Sequence, residues 1–198
     1  GQDLACQFSQ AFTAFETFNR AFSRVNPEET KNLSDYISPT PSYVEYENQI
    51  TFNKAMQKAL TQTQRAQPAI GAASMAYADV LFSDFKAHFD YTLGHSYGEL
   101  TALYAAGVID KQTFADLSCL RGKLMQAENG EDAGSMLAVK AAASEVDKAL
   151  KDLKLTSLVV ANDNTPKQVV ISGATAKIEQ AGARLKQAGF QCVHIPVS

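Results

Sequence analysis

The chain has 198 residues, a formal net charge of −3 at pH 7 and a hydrophobic content of 45%, values that are ordinary for a globular protein. Its mild, mixed charge gives no reason to expect nucleic acid or a membrane as a partner. No apolar run approaches the roughly 18 residues that a membrane-spanning helix needs. The cysteines Cys6, Cys119 and Cys192 lack the spacing of a disulfide framework or a zinc site. We therefore expect no metal site, and a cytoplasmic protein with reduced cysteines.

The two ends of the sequence favour a piece of a longer polypeptide. The chain starts with Gly1 rather than methionine and enters a helical pattern almost at once. No basic region followed by an apolar core, the mark of a signal peptide, is present. The last residues, 194–198, follow directly on a strand-like run. We expect the chain to be a fragment of a larger domain.

Helices dominate the prediction for residues 1–130. The first helix has an apolar stripe that recurs every three or four positions and consists of Leu4, Phe8, Phe12, Phe15, Phe18 and Phe22. Turn residues, helix caps and apolar periodicity predict the other elements. In chain order they are a loop over 26–50, helices over 51–62 and 68–85, a buried strand over 89–93, and helices over 97–106 and 110–126.

Residues 131–198 have a different pattern, which follows a polar, glycine-containing break at 130–134. Strands are predicted over 136–139, 157–161, 168–172 and 190–195, with helices over 144–153 and 175–188 and a turn over 162–166. The order βαββαβ is the ferredoxin-like arrangement. We therefore predict a small second subdomain.

The strand predicted at 89–93 has no partner strand in its own part of the sequence. Its apolar character is typical of a central strand in a parallel sheet, which needs several strands and cover on both faces. Because the rest of residues 1–130 is predicted as helix and loop, we expect the missing strands to lie outside this chain.

The segment Gly94-His95-Ser96-Tyr97-Gly98 matches the G-x-S-x-G pattern of a nucleophile elbow. Such an elbow holds a serine on a strained turn between a strand and a helix, and its glycines leave room for close packing. The helix N-terminus and the amide of Tyr97 can then stabilise an oxyanion. The pattern also occurs by chance as a merely tight turn, but the strand and helix predicted around it favour a nucleophile for acyl transfer.

A nucleophilic serine needs a base, and none of the three histidines is a convincing one. His88 is predicted at the surface, His95 is expected to pack or orient the elbow, and His194 is most simply a strand-face residue.

Arg121 lies on the second helix after the elbow, beside leucines that are predicted to be buried: Leu117, Leu120 and Leu124. One reading is a surface arginine with a packed stem. The other is a carboxylate clamp, since a guanidinium binds a carboxylate through two hydrogen bonds. Gln67, before Pro68, is by default part of a helix entrance.

Four blocks of the sequence, in this order, resemble the malonyl-CoA:acyl carrier protein transacylase family. They are Thr63-Gln64-x-x-Gln67-Pro68-Ala69, Gly94 to Leu100, Arg121-Gly122-x-x-Met125 and Asn164 to Gly173. The likeness is strongest to acyltransferase domains of bacterial polyunsaturated fatty acid synthases, with modular polyketide synthases second. It implies an α/β fold, with residues 1–130 as part of an α/β-hydrolase-like large subdomain and residues 131–198 as an inserted ferredoxin-like small subdomain.

The resemblance also implies roles for individual residues. Ser96 would form the acyl-enzyme, and the backbone amide of Tyr97 would serve the oxyanion hole. Arg121 would bind the free carboxylate of a malonyl group, while His95 and Gln67 would line or support the pocket. No cofactor would be bound. The partners would be malonyl-CoA, the phosphopantetheine of an acyl carrier protein, and a neighbouring ketosynthase domain of the same polypeptide.

Two features of the family are absent from the sequence. Its glutamine-bearing block would precede Gly1, and its catalytic histidine would follow Ser198, so we expect the isolated chain to be nearly inactive. Two alternatives stay open: a thioesterase or esterase of the α/β-hydrolase type, which would share the elbow, and a non-catalytic docking domain of a synthase.

Overall fold

The computed structural model describes residues 2–39, 46–126, 132 and 134–195. The chain divides into two compact units, residues 1–126 and residues 127–198. Within the described residues, no helix combines the length and the apolar character that crossing a membrane requires.

The first unit is helical. Its elements are α1 (Gln2–Gln7), α2 (Ser9–Val25), α3 (Leu33–Ile37), α4 (Tyr46–Leu60), α5 (Thr63–Ser83), α6 (Gly98–Ala105) and α7 (Lys111–Leu124). Helices α2, α5 and α7 pack on one another and enclose the core. Phe18 and Phe114 meet edge to face there, with ring centroids 5.6 Å apart. Part of the predicted aromatic stripe therefore forms the core, whereas Phe12 is exposed.

In the first unit, the predicted loop over 26–50 and the predicted start of the following helices at 51 and 68 are wrong. The loop range contains α3, where the Asn32 amide donates to the Asp35 Oδ2 at 2.9 Å, and the first turn of α4, which begins at Tyr46. Helix α5 begins at Thr63 and runs through Pro68, although proline disfavours an interior helical position. The close packing of α5 on α7 explains the earlier start, since tertiary contacts override local propensity. Residues 40–45 of the predicted loop lie outside the described residues.

The strand predicted at 89–93 does not form. This segment is irregular and has no strand pairing, and Tyr91 and Leu93 are 89% and 91% exposed. A strand needs a neighbour to share its backbone hydrogen bonds, and the described part of the first unit has no other strand. The segment is attached instead by side chains: the Thr92 hydroxyl donates to the Ala102 carbonyl at 3.0 Å.

The second unit has the predicted βαββαβ order. Its elements are β1 (Ser135–Val139), α8 (Ala143–Asp152), β2 (Val159–Thr165), β3 (Gln168–Gly173), α9 (Thr175–Gln187) and β4 (Cys192–Ile195). The strands form one antiparallel sheet in the order β2-β3-β1-β4. Leu137 pairs with Ile171, and Val139 with Val169. These four side chains are buried in one core with residues of both helices.

The turn predicted over 162–166 is wrong. Strand β2 continues to Thr165, with two register shifts against β3, and the chain turns at Pro166 and Lys167. Backbone pairing with β3 keeps this polar segment in the sheet, while most of its side chains are exposed. Exposure explains why its sequence carries no strand signal.

Candidate active site

Ser96 lies in a tight turn between the irregular segment 89–94 and helix α6. Its backbone φ is +54°, a left-handed conformation that costs a residue other than glycine about 1–3 kcal/mol. The Gly98 amide closes the turn by donating to the His95 carbonyl at 3.0 Å. The Glu99 amide donates to the Ser96 carbonyl at 3.1 Å. The G-x-S-x-G pattern predicts such a strained serine, exposed at the start of a helix.

The two glycines of the pattern differ in their surroundings. An ideal Cβ on Gly94 would lie 1.9 Å from the Gly98 carbonyl oxygen and 2.6 Å from the Glu99 nitrogen. No real side chain tolerates such distances. A Cβ on Gly98 would meet no described atom within 4 Å. Only Gly94 is therefore sterically required, whereas the sequence pattern predicts a need for room at both positions.

The amide of Tyr97 is available as a hydrogen-bond donor. Tyr97 directly precedes α6, and no backbone carbonyl among the described residues accepts from its N–H. The N-terminus of a helix carries a partial positive charge. A free amide beside a nucleophile and at this end of a helix can stabilise a developing oxyanion.

No base is hydrogen bonded to Ser96 among the described residues of the first unit. Within the described residues of this unit, the Ser96 hydroxyl has no hydrogen-bond partner. His95 and His88 are exposed, as predicted for His88. His194 lies on β4 of the second unit, where its Nε2 is 3.6 Å from the position of a Cβ on Gly182. That none of the three histidines is the base for Ser96 stays a prediction.

Arg121 and Gln67 are brought together by helices α7 and α5. The Nη1 of Arg121 donates to the Oε1 of Gln67 at 2.6 Å. Gln67 is only 8% exposed, and its amide nitrogen is 3.4 Å from the sulfur of Met125. A guanidinium has five N–H donors. The hydrogen bond that Arg121 donates to Gln67 therefore orients the guanidinium and leaves its other donors for an anion.

Arg121 and Gln67 lie next to each other because helices α7 and α5 approach closely. A Cβ on Gly122 would lie 3.0 Å from the Thr63 carbonyl oxygen and 3.2 Å from the Cα of Gln64. Helix α7 therefore touches the first turn of α5 at Gly122. Arg121, next in sequence, then faces Gln67, which is about one helical turn along α5.

The prediction that the leucines beside Arg121 are buried is wrong. Leu117, Leu120 and Leu124 are 38%, 45% and 75% exposed. The buried residues of α7 are Phe114, Ala115, Ser118, Cys119 and Gly122. Helix α7 is apolar on more than one side, and only one side packs on α2 and α5. Periodicity alone does not say which side is covered.

Two residues beside the turn carry no motif signal. Ser118 is fully buried, and its Oγ is 2.7 Å from the Tyr97 hydroxyl. Gly71, on α5, faces the same hydroxyl. The only sequence signal for either residue is that Ser118 is a polar residue among apolar ones on a helix. Sequence reasoning missed both.

No metal or thiol chemistry is indicated near the turn. The described residues contain no group of three His, Cys, Asp or Glu side chains placed to hold a metal ion. Burial raises the pKa of the Cys119 thiol to about 12, so this thiol stays protonated and unreactive at neutral pH. A cavity of about 210 Å³ between α1, α2 and α3 is lined by none of the predicted site residues.

Comparison with known proteins gives the family of the chain. Residues 9–198 match the family described as the acyl transferase domain. The malonyl CoA-acyl carrier protein transacylase of Haemophilus influenzae is 42% identical over 133 residues, which cover 66% of this chain and 43% of that protein. One subunit of the polyunsaturated fatty acid synthase of Thraustochytrium sp. is 31% identical over 137 residues, which cover 69% of this chain and 6% of that protein.

A solved structure gives the same likeness. The acyl-carrier-protein-S-malonyltransferase of Bartonella henselae superposes with a TM-score of 0.77 at 31% identity, and the match covers 100% of this chain and 58% of that one. The chain thus spans less than two thirds of the length of either single transferase. Because the family match extends over nearly all of its residues, the chain belongs to the acyl transferase domain family.

Proposed function

We propose that this chain carries the nucleophile of an enzyme that moves a malonyl group from coenzyme A to an acyl carrier protein. The observation that carries the proposal is the Ser96 turn, in which a strained, exposed serine precedes a helix and adjoins the free amide of Tyr97. Similarity to two malonyl transferases supports the choice of acyl group and of acceptor.

Ser96 reacts in two half-reactions. Its Oγ attacks the thioester carbonyl carbon of malonyl-CoA while its proton passes to a base. The carbonyl oxygen becomes an oxyanion, which accepts a hydrogen bond from the Tyr97 amide. Collapse breaks the C–S bond, coenzyme A leaves with the proton, and a malonyl ester stays on Ser96. The phosphopantetheine thiol of the carrier protein then attacks this ester, and Ser96 recovers its proton.

The base is a histidine that the described residues of the first unit do not supply. Neither His88 nor His95 is hydrogen bonded to the Ser96 hydroxyl. The family resemblance implies that a histidine has this role. His95, exposed and adjacent to Ser96, lines the substrate pocket in this proposal.

Arg121 selects the malonyl group by binding its free carboxylate. Gln67, which is nearly buried, holds the guanidinium from one side. A fixed guanidinium binds a carboxylate through two parallel hydrogen bonds, whereas an acetyl group offers no anion to bind. The position of Gln67 makes it a support for Arg121 more than a direct ligand of the substrate.

The reaction needs no bound cofactor in this proposal. Both thioesters, on coenzyme A and on phosphopantetheine, are activated acyl groups, and a serine, a base and amide donors suffice to exchange them.

The wider setting of the chain is also a proposal. The first unit is part of an α/β-hydrolase-like large subdomain, and the second unit is its inserted ferredoxin-like small subdomain. Support comes from the segment 89–93, which has a strand-like sequence and whose apolar side chains Phe89, Tyr91 and Leu93 are exposed. Similarity to one subunit of the Thraustochytrium polyunsaturated fatty acid synthase, of which the match covers 6%, supports a large synthase of this kind as the setting. A cytoplasmic location and a neighbouring ketosynthase domain are proposed on the family resemblance alone.

Covalent labelling tests the proposal. Full-length protein is incubated with radiolabelled malonyl-CoA, and protein-bound label is counted after denaturation. Ser96→Ala is expected to lose the label. Ser83→Ala, which changes an exposed serine at the end of α5, is expected to keep it.

The acceptor is tested by adding phosphopantetheinylated carrier protein to the labelled enzyme. Transfer of the label to the carrier supports the proposal. Release of free malonate without malonyl-carrier would identify a thioesterase instead. Absence of protein-bound label with intact Ser96 would contradict the enzymatic role and favour a docking domain.

A further inference from the structure

The side chain of Tyr97 ends in a chain of two hydrogen bonds. Its hydroxyl lies 2.7 Å from the Oγ of Ser118 on α7. Ser118 Oγ in turn donates to the Phe114 carbonyl at 2.7 Å. Because a serine hydroxyl has a single hydrogen, Tyr97 is the donor in its bond to Ser118. The phenol is thereby tied to the backbone of a residue in the centre of the core.

Helices α5 and α2 enclose the same hydroxyl. A Cβ on Gly71 of α5 would lie 2.1 Å from the Tyr97 hydroxyl oxygen and 2.7 Å from the ring of Phe18 on α2. Glycine at position 71 therefore leaves the space that the phenol fills. Three helices meet at this oxygen, so its position is narrowly defined by packing.

The phenol acts as a fixed donor and not as an acid or base. Burial raises the pKa of Tyr97 far above its usual value, against a smaller opposing effect of the bond with Ser118. The hydroxyl thus remains protonated throughout the range in which enzymes work. Its bond to Ser118 is present at every such pH.

Helix α6 depends on such side-chain attachments, because none of its residues is buried. Tyr97 stands before its first residue, and Tyr104, seven positions later, lies on the same face. Tyr104 donates to Asp79, which also accepts from the Nζ of Lys111 at 2.7 Å. The Tyr104 ring stacks on Phe114 with centroids 5.1 Å apart. The two tyrosines therefore attach the two ends of α6 to α5 and α7.

We infer that Tyr97 is a positioning residue for acyl transfer, whose hydroxyl holds the Tyr97 amide and the Ser96 turn in place through Ser118. The left-handed backbone of Ser96 persists only where the surrounding structure holds it. The phenol and the amide belong to one residue, so anchoring the ring restrains the direction of the amide N–H. Stabilising an oxyanion requires that direction to be preorganised. This inference rests on the proposed function of Ser96.

Tyr97→Phe in the full-length protein tests the inference, because it keeps the ring and removes only the hydroxyl. We expect kcat for malonyl transfer to fall about tenfold, the order of effect of one buried hydrogen bond. KM for malonyl-CoA should change less than about twofold, since the lost contact orients a transition-state donor and binds no substrate. A purely structural role would leave kcat of the folded enzyme unchanged.

Tyr104→Phe is the matched control. It removes a hydrogen-bonded hydroxyl from the same face of α6, about 10 Å further along the helix by the rise per residue. We expect it to lower the thermal unfolding midpoint at least as much as Tyr97→Phe does, and to leave kcat unchanged. An equal loss of kcat in both variants would mean that general destabilisation explains the effect, and would overturn the inference.

Ser118→Ala provides a second variant, which removes the acceptor and leaves the turn itself intact. It should reproduce the loss in kcat. The double variant Tyr97→Phe/Ser118→Ala should be no slower than the slower single variant, because both changes break one interaction. Losses that multiply, or a wild-type kcat in both single variants, would overturn the inference.

These experiments distinguish failure of this inference from failure of the proposed function. If Ser96→Ala still accepts the malonyl label, the proposed function fails and this inference fails with it. If Ser96→Ala loses the label while Tyr97→Phe transfers malonyl at the wild-type rate, only the role of Tyr97 is wrong.

Discussion

Gly94 and Gly98 occupy equivalent places in the G-x-S-x-G pattern, but we expect opposite results from replacing each with alanine. A Cβ on Gly94 would lie 1.9 Å from the Gly98 carbonyl oxygen, where real contacts are at least 3.0 Å. The backbone must therefore open by about 1 Å beside Ser96, and a misplacement of about 1 Å at a reacting group can cost about 100-fold in rate. Forced overpacking of this kind also destabilises by about 1–3 kcal/mol.

Gly98→Ala is the matched variant. A Cβ at this position meets no described atom within 4 Å, and Gly98 is the first residue of α6. In a helix interior, alanine is more favourable than glycine by up to about 1 kcal/mol. At the first residue of a helix, only part of this stabilisation is expected. We expect a small gain in stability and a rate within about threefold of wild type.

Rapid-quench measurement of malonyl-enzyme formation, together with thermal unfolding, checks both expectations in the full-length protein. Gly94→Ala should lose at least about 100-fold in the rate of acylation. A rate within about threefold of wild type for Gly94→Ala would refute the steric argument. An equal loss of rate in Gly98→Ala would refute it too, because the argument rests on a Cβ that clashes at position 94 and contacts nothing at position 98.

Three further predictions concern selectivity and acid stability. Arg121→Ala should lower kcat/KM for malonyl-CoA about 10- to 100-fold, since hydrogen bonds to a charged group contribute about 1.5–3 kcal/mol. Transfer from acetyl-CoA should be unchanged, and an equal loss on both substrates would contradict the clamp. Gln67→Ala should also lower kcat/KM for malonyl-CoA relative to acetyl-CoA, by a smaller factor, in the same comparison of the two substrates. The Asp110 carboxylate accepts from the Thr113 amide at 2.7 Å, and this bond to the backbone holds its pKa below 3.8. Because the folded pKa is depressed, its stabilisation is present above the ordinary pKa and lost as the pH falls through the folded value. Asp110→Asn should therefore flatten the fall of the unfolding midpoint below about pH 4, and an unchanged slope would contradict this.

The elements predicted well are those whose signal is local. The helix after the elbow has a glycine just past its end, and α7 begins at Lys111, directly after Asp110, whose side chain caps it. The βαββαβ order of the second unit follows from alternating apolar runs and helical periods. In each case, neighbouring residues contain the information that decides the structure.

The elements that were predicted wrongly depend on contacts between distant parts of the chain. Helix α5 begins five residues before Pro68 because α7 packs on its first turn at Gly122. The segment 89–93 has a strand-like sequence but no strand beside it among the described residues. The polar end of β2 is held by pairing with β3, which no single stretch of sequence reveals.

The sequence by itself determined the candidate nucleophile and the candidate clamp, because a G-x-S-x-G pattern and an ordered set of blocks are properties of the chain. Only the tertiary structure decided how these groups are supported. The bond between Gln67 and Arg121, the need for Gly94 but not for Gly98, and the anchoring of Tyr97 on Ser118 all join residues on different elements. The physical reason is that helix packing sets such contacts through distances of a few tenths of an ångström, and sequence periodicity does not record them.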